Sequence, residues 1–424
     1  MKIYENFYKI QNCLIIPIIA GSVFISLGEM LLIIGQNTGG GVKTALTDFS
    51  QLLFALLPYA FCYYFSVCAN KGKRWLMGSW SVLCLALFLT AYKTVCGGKS
   101  SVLFGLIVGF TVWFCRKYFD NKFVFAGISA FMSLLFGLAL GYAYDLFTDI
   151  NMSLSSFISG KGIFSSALFA VFKTVYDLFD SSNFAEMFFY KSYGGTMFVN
   201  DQIITGVKDL FAENQALREV STYLSGHYYL LFSVFGVCIG MMSNLKGIQK
   251  IALIFAGVGM IISGNPVVAF IFLFLESPAI FISVIIVSVL AYVSACVINV
   301  GAGYLFDGGI VEYFIYPSNK VYLIAGSIVF LAIGFFVYKY CYERYGISDC
   351  YNIYVPSRLQ SVVDALGGVK NIIRFKDDYV EVRNSQLINN LSFECEINEN
   401  TIKSDSETFK ELKEYFDEDK GRTF

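Results

Sequence analysis

Long apolar runs separated by short polar turns fill most of the chain. A helix needs about 20 consecutive apolar residues to cross the hydrocarbon core of a bilayer. Ten runs reach or approach that length, and they cover residues 13–34, 50–69, 75–95, 101–115, 123–144, 162–179, 223–243, 251–276, 279–300 and 321–340. The pattern predicts an all-α polytopic membrane protein with about ten transmembrane helices, including re-entrant or broken segments.

The eighth run is interrupted in its middle by Gly264-Asn265-Pro266. Proline cannot donate a backbone hydrogen bond, and irregular backbone inside a bilayer must be satisfied by protein or by a water-filled cavity. In transporters, helices broken in this way hold the solute near the membrane midplane. The break therefore predicts a binding site that includes Asn265, although a proline-kinked helix without a ligand explains the same pattern.

Basic residues in short loops predict the orientation. Lysine and arginine cluster after the second and fourth runs, around Arg74 and Arg116, and such loops face the cytoplasm. The N-terminus and the C-terminus are then predicted to be cytoplasmic. Two later clusters, beginning at Lys246 and Lys339, are separated by three apolar runs. Both can be cytoplasmic only if one of these runs is re-entrant, and the run broken at Gly264 is the natural candidate.

Composition agrees with a membrane protein and excludes several function classes. Of the 424 residues, 56% are hydrophobic and only 15% are charged, and the net charge of −1 gives no basic surface for nucleic acid. The 11 cysteines lack paired CxxC spacing and mostly lie in apolar runs. They are interpreted as buried thiols, so the sequence predicts no metal site and no cofactor.

Hydropathy falls between residues 180 and 220. Asn183 and Glu186 lie in this stretch and carry the amide and carboxylate groups that hold sugar hydroxyls, although a solvated loop is an equal alternative. The apolar residues from Ile203 to Phe211 have helical spacing, which predicts an amphipathic helix.

A few ionisable residues lie near predicted membrane depth. The single histidine, His227, begins an apolar run and is either a functional residue or an interfacial one. Glu276, Asp307 and Glu312 are the acidic residues nearby, and Glu276 is predicted to be the most buried of them.

The character of the chain changes after Cys350, where the residues become polar. Patterned segments predict helices over 359–366 and 407–416 and strands over 372–374 and 380–382. The sequence therefore predicts a membrane domain over residues 1–350 and a small α/β cytoplasmic C-terminal remnant over 351–424.

Five segments, taken in order, resemble a known family. They are SSVLFGLIVGFTVWFCRKYFD (100–120), VFGVCIGMM (234–242), FLFLESP (272–278), GIVEYFIYPSNKVYLI (309–324) and SRLQSVVDALGGVKNI (357–372). These resemble tracts of the bacterial phosphotransferase system (PTS) sugar permeases of the glucose type. The last segment resembles the opening of that family's B domain, and Glu312 stands where the family has an aspartate.

The resemblance implies an enzyme IIC transport domain fused to a IIB domain, forming a homodimer in the bacterial cytoplasmic membrane. Such a permease moves a sugar inward through the lipid bilayer while the B domain phosphorylates it. It implies that the sugar contacts residues lining a cavity between the 180–200 region and the broken run. The predicted substrate-binding residues are Asn183, Glu186, His227, Asn265, Glu276 and Glu312.

The sequence departs from the family pattern at the residues that bind the sugar and carry the phosphoryl group. The signature GITEPIEF reads SGNPVVAF at 263–270, so both glutamates are missing, and the histidines expected near 180–183 are missing as well. Tyr379 occupies or adjoins the position of the phosphorylated cysteine, and Cys395 lies too far downstream to replace it. Phosphoryl transfer through cysteine needs a thiolate held by cationic or amide donors. The chain is therefore predicted to carry no catalytic residue of its own.

Three functions remain open from the sequence. The first is a divergent sugar permease that needs a separate IIB protein and the IIA phosphocarrier as partners. The second is a non-transporting paralogue that acts as a membrane sugar sensor or scaffold. The third is an unrelated secondary transporter coupled to protons or sodium, which needs an ionisable residue at the midplane, where only Glu276 and His227 qualify.

Overall fold

The structure is a computed structural model, and it describes residues 2–36, 38, 40–69, 74–96, 101–119, 121–158, 161–178, 196–199, 202–213, 218–243, 245, 247–316, 319–345, 362–363, 365–366, 372–375, 379–382, 396–398, 401–403 and 410–411. By contacts the chain divides into two compact units. One contains residues 9–245 and 249–340, and the other contains residues 1–8, 246–248 and 341–424.

Helices dominate the first unit. They are α1 (Lys2–Gln36), α2 (Gly40–Ala69), α3 (Arg74–Cys96), α4 (Val102–Tyr118), α5 (Lys122–Ile158), α6 (Ile163–Leu178), α7 (Val207–Ala212), α8 (Arg218–Tyr223), α9 (Gly226–Met241), α10 (Gly247–Ser263), α11 (Val267–Glu276), α12 (Pro278–Ile298), α13 (Ile310–Ile315) and α14 (Lys320–Tyr345).

Seven of the described segments are long and apolar enough to cross a membrane. They are Cys13–Gln36, Gly40–Val67, Trp75–Cys96, Lys122–Tyr144, Glu219–Met241, Pro278–Ile298 and Lys320–Cys341. This gives the chain the character of a multi-pass membrane protein. The predicted total of ten is not reached because α4 and α6 have only 17 and 16 residues, and the eighth run is divided.

The predicted break is confirmed. Helix α10 ends at Ser263 and α11 begins at Val267, and Gly264 between them has a positive φ of 83°. Glycine adopts this conformation without a steric cost. At 1.5 Å per residue the ten residues of α11 extend about 15 Å, half of a bilayer core, so α11 cannot cross a membrane alone.

Burial distinguishes the centre of the bundle from its lipid-like exterior. In the Glu219–Met241 segment 83% of the residues are buried, against 22% in Lys122–Tyr144. Large apolar side chains remain exposed on the outer helices, including Phe123, Phe131 and Val321. A soluble protein rarely exposes so much apolar surface, whereas lipid tails would cover it in a bilayer. Helix α9 therefore lies in the most buried of these segments, whereas α2 to α5 pack mainly against one another around a separate cluster that includes Phe88 and Val112.

Small residues allow the closest helix contacts. A Cβ atom on Gly105 of α4 would overlap the backbone of Pro58 in α2, as the GxxxG spacing permits. Helices α9 and α14 make a reciprocal contact. A Cβ on Gly236 would overlap the carbonyl of Leu331, and one on Gly334 would overlap the carbonyl of Ser233.

The amphipathic helix predicted over Ile203 to Phe211 is wrong in its first part. Strands β1 (Thr196–Val199) and β2 (Gln202–Thr205) form an antiparallel hairpin there, and only Val207–Ala212 is helical. Gly206, with a φ of 107°, separates strand from helix. Helical periodicity did not reveal this, because β-branched Ile203, Ile204 and Thr205 also suit a strand.

The second unit contains a four-stranded antiparallel sheet. Its strands are β3 (Ile372–Phe375), β4 (Tyr379–Val382), β5 (Glu396–Asn398) and β6 (Thr401–Lys403), in the order β3-β4-β6-β5. The predicted strands at 372–374 and 380–382 are confirmed. Of the two predicted helices, residues 362–363, 365 and 410–411 are helical, Leu366 is in a turn, and the rest lie outside the described residues.

We expect Gly236→Ala and Gly334→Ala each to destabilise the protein by roughly 1–3 kcal/mol, because the added methyl group would separate α9 from α14. Thermal unfolding of the purified variants in detergent measures the effect. The matched control is Gly127→Ala on α5, where a Cβ meets nothing within 4 Å. An equal loss of stability in all three variants would contradict the close contact.

Candidate functional site

Two irregular stretches of backbone face each other inside the bundle. One is the break between α10 and α11, and the other is the 299–309 loop between α12 and α13. A Cβ on Gly264 would overlap the carbonyl of Asp307, and one on Gly309 would overlap the carbonyl of Ile262. The two backbones are therefore in direct contact. We define the polar centre as the side chains that meet there, namely His227, Asn265, Tyr304 and Asp307.

Asn265 joins the two stretches. Its Nδ2 donates a hydrogen bond to Oδ2 of Asp307 at 2.9 Å. Its Oδ1 accepts a hydrogen bond from the backbone N–H of Val267 at 3.1 Å and so satisfies an otherwise free donor at the start of α11. One amide therefore stabilises the broken helix and holds the opposite loop.

His227 approaches the break from the first turn of α9 and is 1% exposed. Its Nε2 lies 3.0 Å from the carbonyl oxygen of Gly264, and its ring centroid lies 4.9 Å from that of Tyr304. A carbonyl only accepts, so this contact assigns the proton to Nε2. Nδ1 is then an acceptor, and it has no hydrogen-bond partner within the described residues.

Glu312 organises the 299–309 loop. Its Oε1 accepts hydrogen bonds from the backbone N–H groups of Leu305 and Phe306, at 2.7 and 3.2 Å, and its Oε2 accepts one from Gly308 at 2.9 Å. Glu312 lies between two of the candidate spans. Burial raises the pKa of its carboxyl, and the three N–H groups lower it in part. These hydrogen bonds give Glu312, which the sequence predicted to bind substrate, a structural role.

Lysine side chains supply positive charge at the edge of the site. Lys173 and Asp177 form a buried ion pair on α6, with Nζ 2.8 Å from Oδ2. Lys208 on α7 donates to the carbonyl of Phe306 at 2.7 Å. Paired charges of this kind are tolerated at depth, whereas isolated ones are costly.

Glu29 is the residue that sequence reasoning missed. It is the only charged residue within the Cys13–Gln36 segment, and it is 4% exposed. Its Oε2 is buried and has no hydrogen-bond partner among the described residues. A lone carboxyl in an apolar run is a functional candidate by default, and that signal was present in the sequence.

The polar centre encloses little space. A cavity of about 10 Å³ lies among Lys173, Asp177, His227, Gly264, Asn265, Pro266, Val267, Tyr304 and Asp307. Such a volume accommodates about one water molecule, whereas sites for small organic ligands occupy roughly 300–1,000 Å³. The polar centre, as the structure shows it, therefore has room for one water molecule and not for a small organic ligand.

A larger cavity has a different chemistry. It measures about 410 Å³, and its lining is almost entirely apolar, with Leu14, Phe110 and Phe274 among its side chains. Thr111 provides the only side-chain hydroxyl in that lining. A cavity of this kind suits an apolar chain and offers little to a polyhydroxylated solute.

The structure assembles part of the predicted site. His227 and Asn265 meet at the polar centre, and Asp307 joins them. Glu276 is buried, but Glu312 is more so, with exposed fractions of 3% and 1%, so the predicted ranking is wrong. Glu276 also ends α11, about 15 Å along the helix from the break. Asn183 and Glu186 lie outside the described residues. Tyr379 begins β4 in the other unit, where it pairs with Lys403.

Neither metal binding nor similarity to known proteins assigns a function to the site. The part of the chain that the structure describes has no group of three or more His, Cys, Asp or Glu side chains that could hold a metal ion. Comparison of the sequence with protein-family models gave no match, and comparison with curated proteins gave none either. Functional assignment therefore depends on the polar centre and on the motifs in the sequence.

We expect Glu312→Gln to destabilise the protein by about 1–3 kcal/mol, because the amide replaces an acceptor of backbone N–H groups with a donor. Thermal unfolding in detergent measures this change. Asp209→Asn, which alters an exposed carboxylate on α7, is the matched control and should leave the unfolding temperature unchanged. A Glu312→Gln protein as stable as this control would contradict the structural role.

Proposed function

We propose that the chain is a membrane permease subunit for sugar uptake of the phosphotransferase type. The observation that carries the proposal is the meeting of two broken backbone segments at Gly264 and Gly309 within an apolar helix bundle. Membrane proteins accept irregular backbone where it lines a binding cavity, and transporters use such breaks to bind solutes.

The groups at the break match the chemistry of a sugar. The amide of Asn265 can donate to hydroxyl groups and the carboxylate of Asp307 can accept from them. His227 also lines the cavity, and its Nδ1 is an acceptor without a partner among the described residues. The ring of Tyr304 offers an apolar surface for the C–H face of a sugar ring. Asn183 and Glu186 are proposed to complete this set.

If the chain transports sugar, the small cavity at the polar centre must open. The contact between the Gly264 break and the 299–309 loop closes the centre, and separation of these two segments would admit a sugar. Two copies of the chain in the lipid bilayer would form the working permease, as the family resemblance implies.

Phosphorylation of the sugar would come from a partner. Tyr379 lies at or near the position where the resemblance places the phosphocysteine. On this proposal a separate IIB protein, charged by a IIA phosphocarrier, would act on the sugar at the cytoplasmic face. A phenol is a weak nucleophile at neutral pH and does not substitute for a thiolate.

One observation favours a second function, a non-transporting membrane sugar sensor or scaffold. The cavity of about 10 Å³ holds no sugar in the closed arrangement. A protein that has lost transport has no need to open it.

Sugar binding is the first test. A thermal-shift screen of the purified protein with hexoses, amino sugars and disaccharides should give stabilisation with one sugar class, about 2.7 kcal/mol at a hundred times its Kd. Asn265→Ala should abolish the shift. Gln51→Ala, which removes an exposed amide on α2, should retain it. A folded protein that responds to none of these sugars would refute the permease and favour the scaffold.

The missing phosphocysteine gives a separate prediction. Incubation with labelled phosphoenolpyruvate and the general phosphotransferase proteins should leave this chain unlabelled, and addition of a IIB protein of the glucose type should not change that result. A known IIB domain in the same reaction is the positive control. An alkali-labile or acid-stable label on this chain would show that it carries its own phosphorylation site.

A further inference from the structure

The larger cavity extends from the exterior of the helix bundle into its interior. Helices α1, α2, α4, α5, α6 and α11 all contribute to its wall. Phe110 on α4 is 49% exposed, whereas Leu14 on α1 is fully buried and Ile271 on α11 is 6% exposed. The volume of about 410 Å³ lies within the range of roughly 300–1,000 Å³ that ligand sites occupy. The cavity is therefore large enough for a ligand, and the proposed sugar site does not use it.

The lining of this cavity excludes a polar ligand. The hydroxyl of Thr111 is the only one that side chains contribute to the wall, and its Oγ1 already donates to the carbonyl of Ile107 at 2.8 Å. A polar group that entered would lose its hydrogen bonds to water and gain none in return. Apolar cavities of this kind stay free of water and accept apolar ligands. The chemistry of the wall therefore fits a hydrocarbon chain.

The surroundings of the cavity supply such a chain. Leu14, Phe65 and Phe136 belong to three of the candidate membrane-spanning segments. In a bilayer, the exposed side chain of Phe110 therefore meets lipid tails at the edge of the cavity. An acyl chain can pass from the bilayer into the cavity without leaving apolar surroundings.

A basic residue lies on the same face of α4 as Phe110. Lys117 follows seven residues later, which is two helical turns or about 10 Å along the axis. Lys117 is exposed, and its Nζ lies 5.6 Å and 5.9 Å from the ring centroids of Trp113 and Tyr118. Half of a bilayer core is about 15 Å thick, so a lipid whose phosphate lies at Lys117 has a chain that reaches Phe110. Aromatic and basic side chains at a helix end are typical of the membrane–water interface.

We propose that the cavity binds one acyl chain of an anionic phospholipid and that Lys117 binds its phosphate group. The positive charge of Lys117 complements the anionic head group. The sequence predicts that this end of α4 is cytoplasmic, and the cytoplasmic leaflet is the one that carries a negative surface charge. Ile271 of α11 lines the cavity, so the bound chain packs against the helix that begins at the Gly264 break. This site does not depend on the proposed transport function.

Photo-crosslinking of the purified full-length protein in detergent tests the position of the chain. Phosphatidylglycerol with a diazirine in its acyl chain should label Leu14 and Ile271, which are too buried to meet lipid on the exterior. An excess of unlabelled phosphatidylglycerol should remove this labelling. Labelling confined to exterior residues, such as Leu83 on α3 with 57% exposure, would overturn the proposal.

Native mass spectrometry tests the head-group contact. Wild-type protein should bind phosphatidylglycerol more tightly than phosphatidylcholine, and Lys117→Gln should reduce the affinity for phosphatidylglycerol roughly fivefold. Lys43→Gln, which removes an exposed lysine on α2, is the matched control and should retain the wild-type affinity. Equal affinities of the wild type for the two lipids, or an unchanged affinity in Lys117→Gln, would refute the assignment of Lys117.

Two further variants test the chemistry of the cavity. Leu106→Trp fills the space and should abolish labelling of Ile271, whereas Leu83→Trp on the exterior of α3 should retain it. Thr111→Val should also retain the labelling, because the chain makes no hydrogen bond with the hydroxyl. Persistent labelling in a folded Leu106→Trp protein, or its loss in Thr111→Val, would contradict an acyl chain in this cavity. If Leu106→Trp does not fold, the labelling pattern of the wild type decides the question.

Discussion

The contact between the Gly264 break and the 299–309 loop is the constraint on which the site depends. Two stretches of backbone can approach this closely only because Gly264 and Gly309 carry no side chain. Their backbone polar groups lie inside the bundle and must then be satisfied locally. Asn265 bonds to the α11 terminus and to Asp307, and Glu312 bonds to three N–H groups of the loop. The polar centre is therefore a consequence of the broken backbone.

Local signals in the sequence predicted the break but not its partner. Glycine followed by Asn-Pro stops a helix wherever it occurs, so α10 and α11 could be separated from the sequence alone. The strands at Ile372 and Val380 also follow from short patterned segments. The hydrogen bond between Asn265 and Asp307 joins side chains 42 residues apart, and one sequence contains no signal for such a contact.

The mistaken helix over Ile203 to Phe211 has a similar origin. Apolar residues with helical spacing also fit a strand followed by a short helix, and Gly206 allows the change between them. Pairing with β1 decided the outcome, and pairing depends on residues outside the periodic segment. The cavity is likewise a property of packing, so its small volume could not be inferred from the polar residues that line it.

His227 is the only histidine in the chain, and it lies on the cavity wall. Isotope-labelled histidine would therefore give one set of imidazole resonances in an NMR spectrum of the full-length protein. Nε2 contacts the Gly264 carbonyl, and Nδ1 has no hydrogen-bond partner among the described residues. The shift of Nε2 would therefore report the backbone contact, and that of Nδ1 would report any group that binds there. The unmodified protein thus contains a built-in spectroscopic reporter at the polar centre.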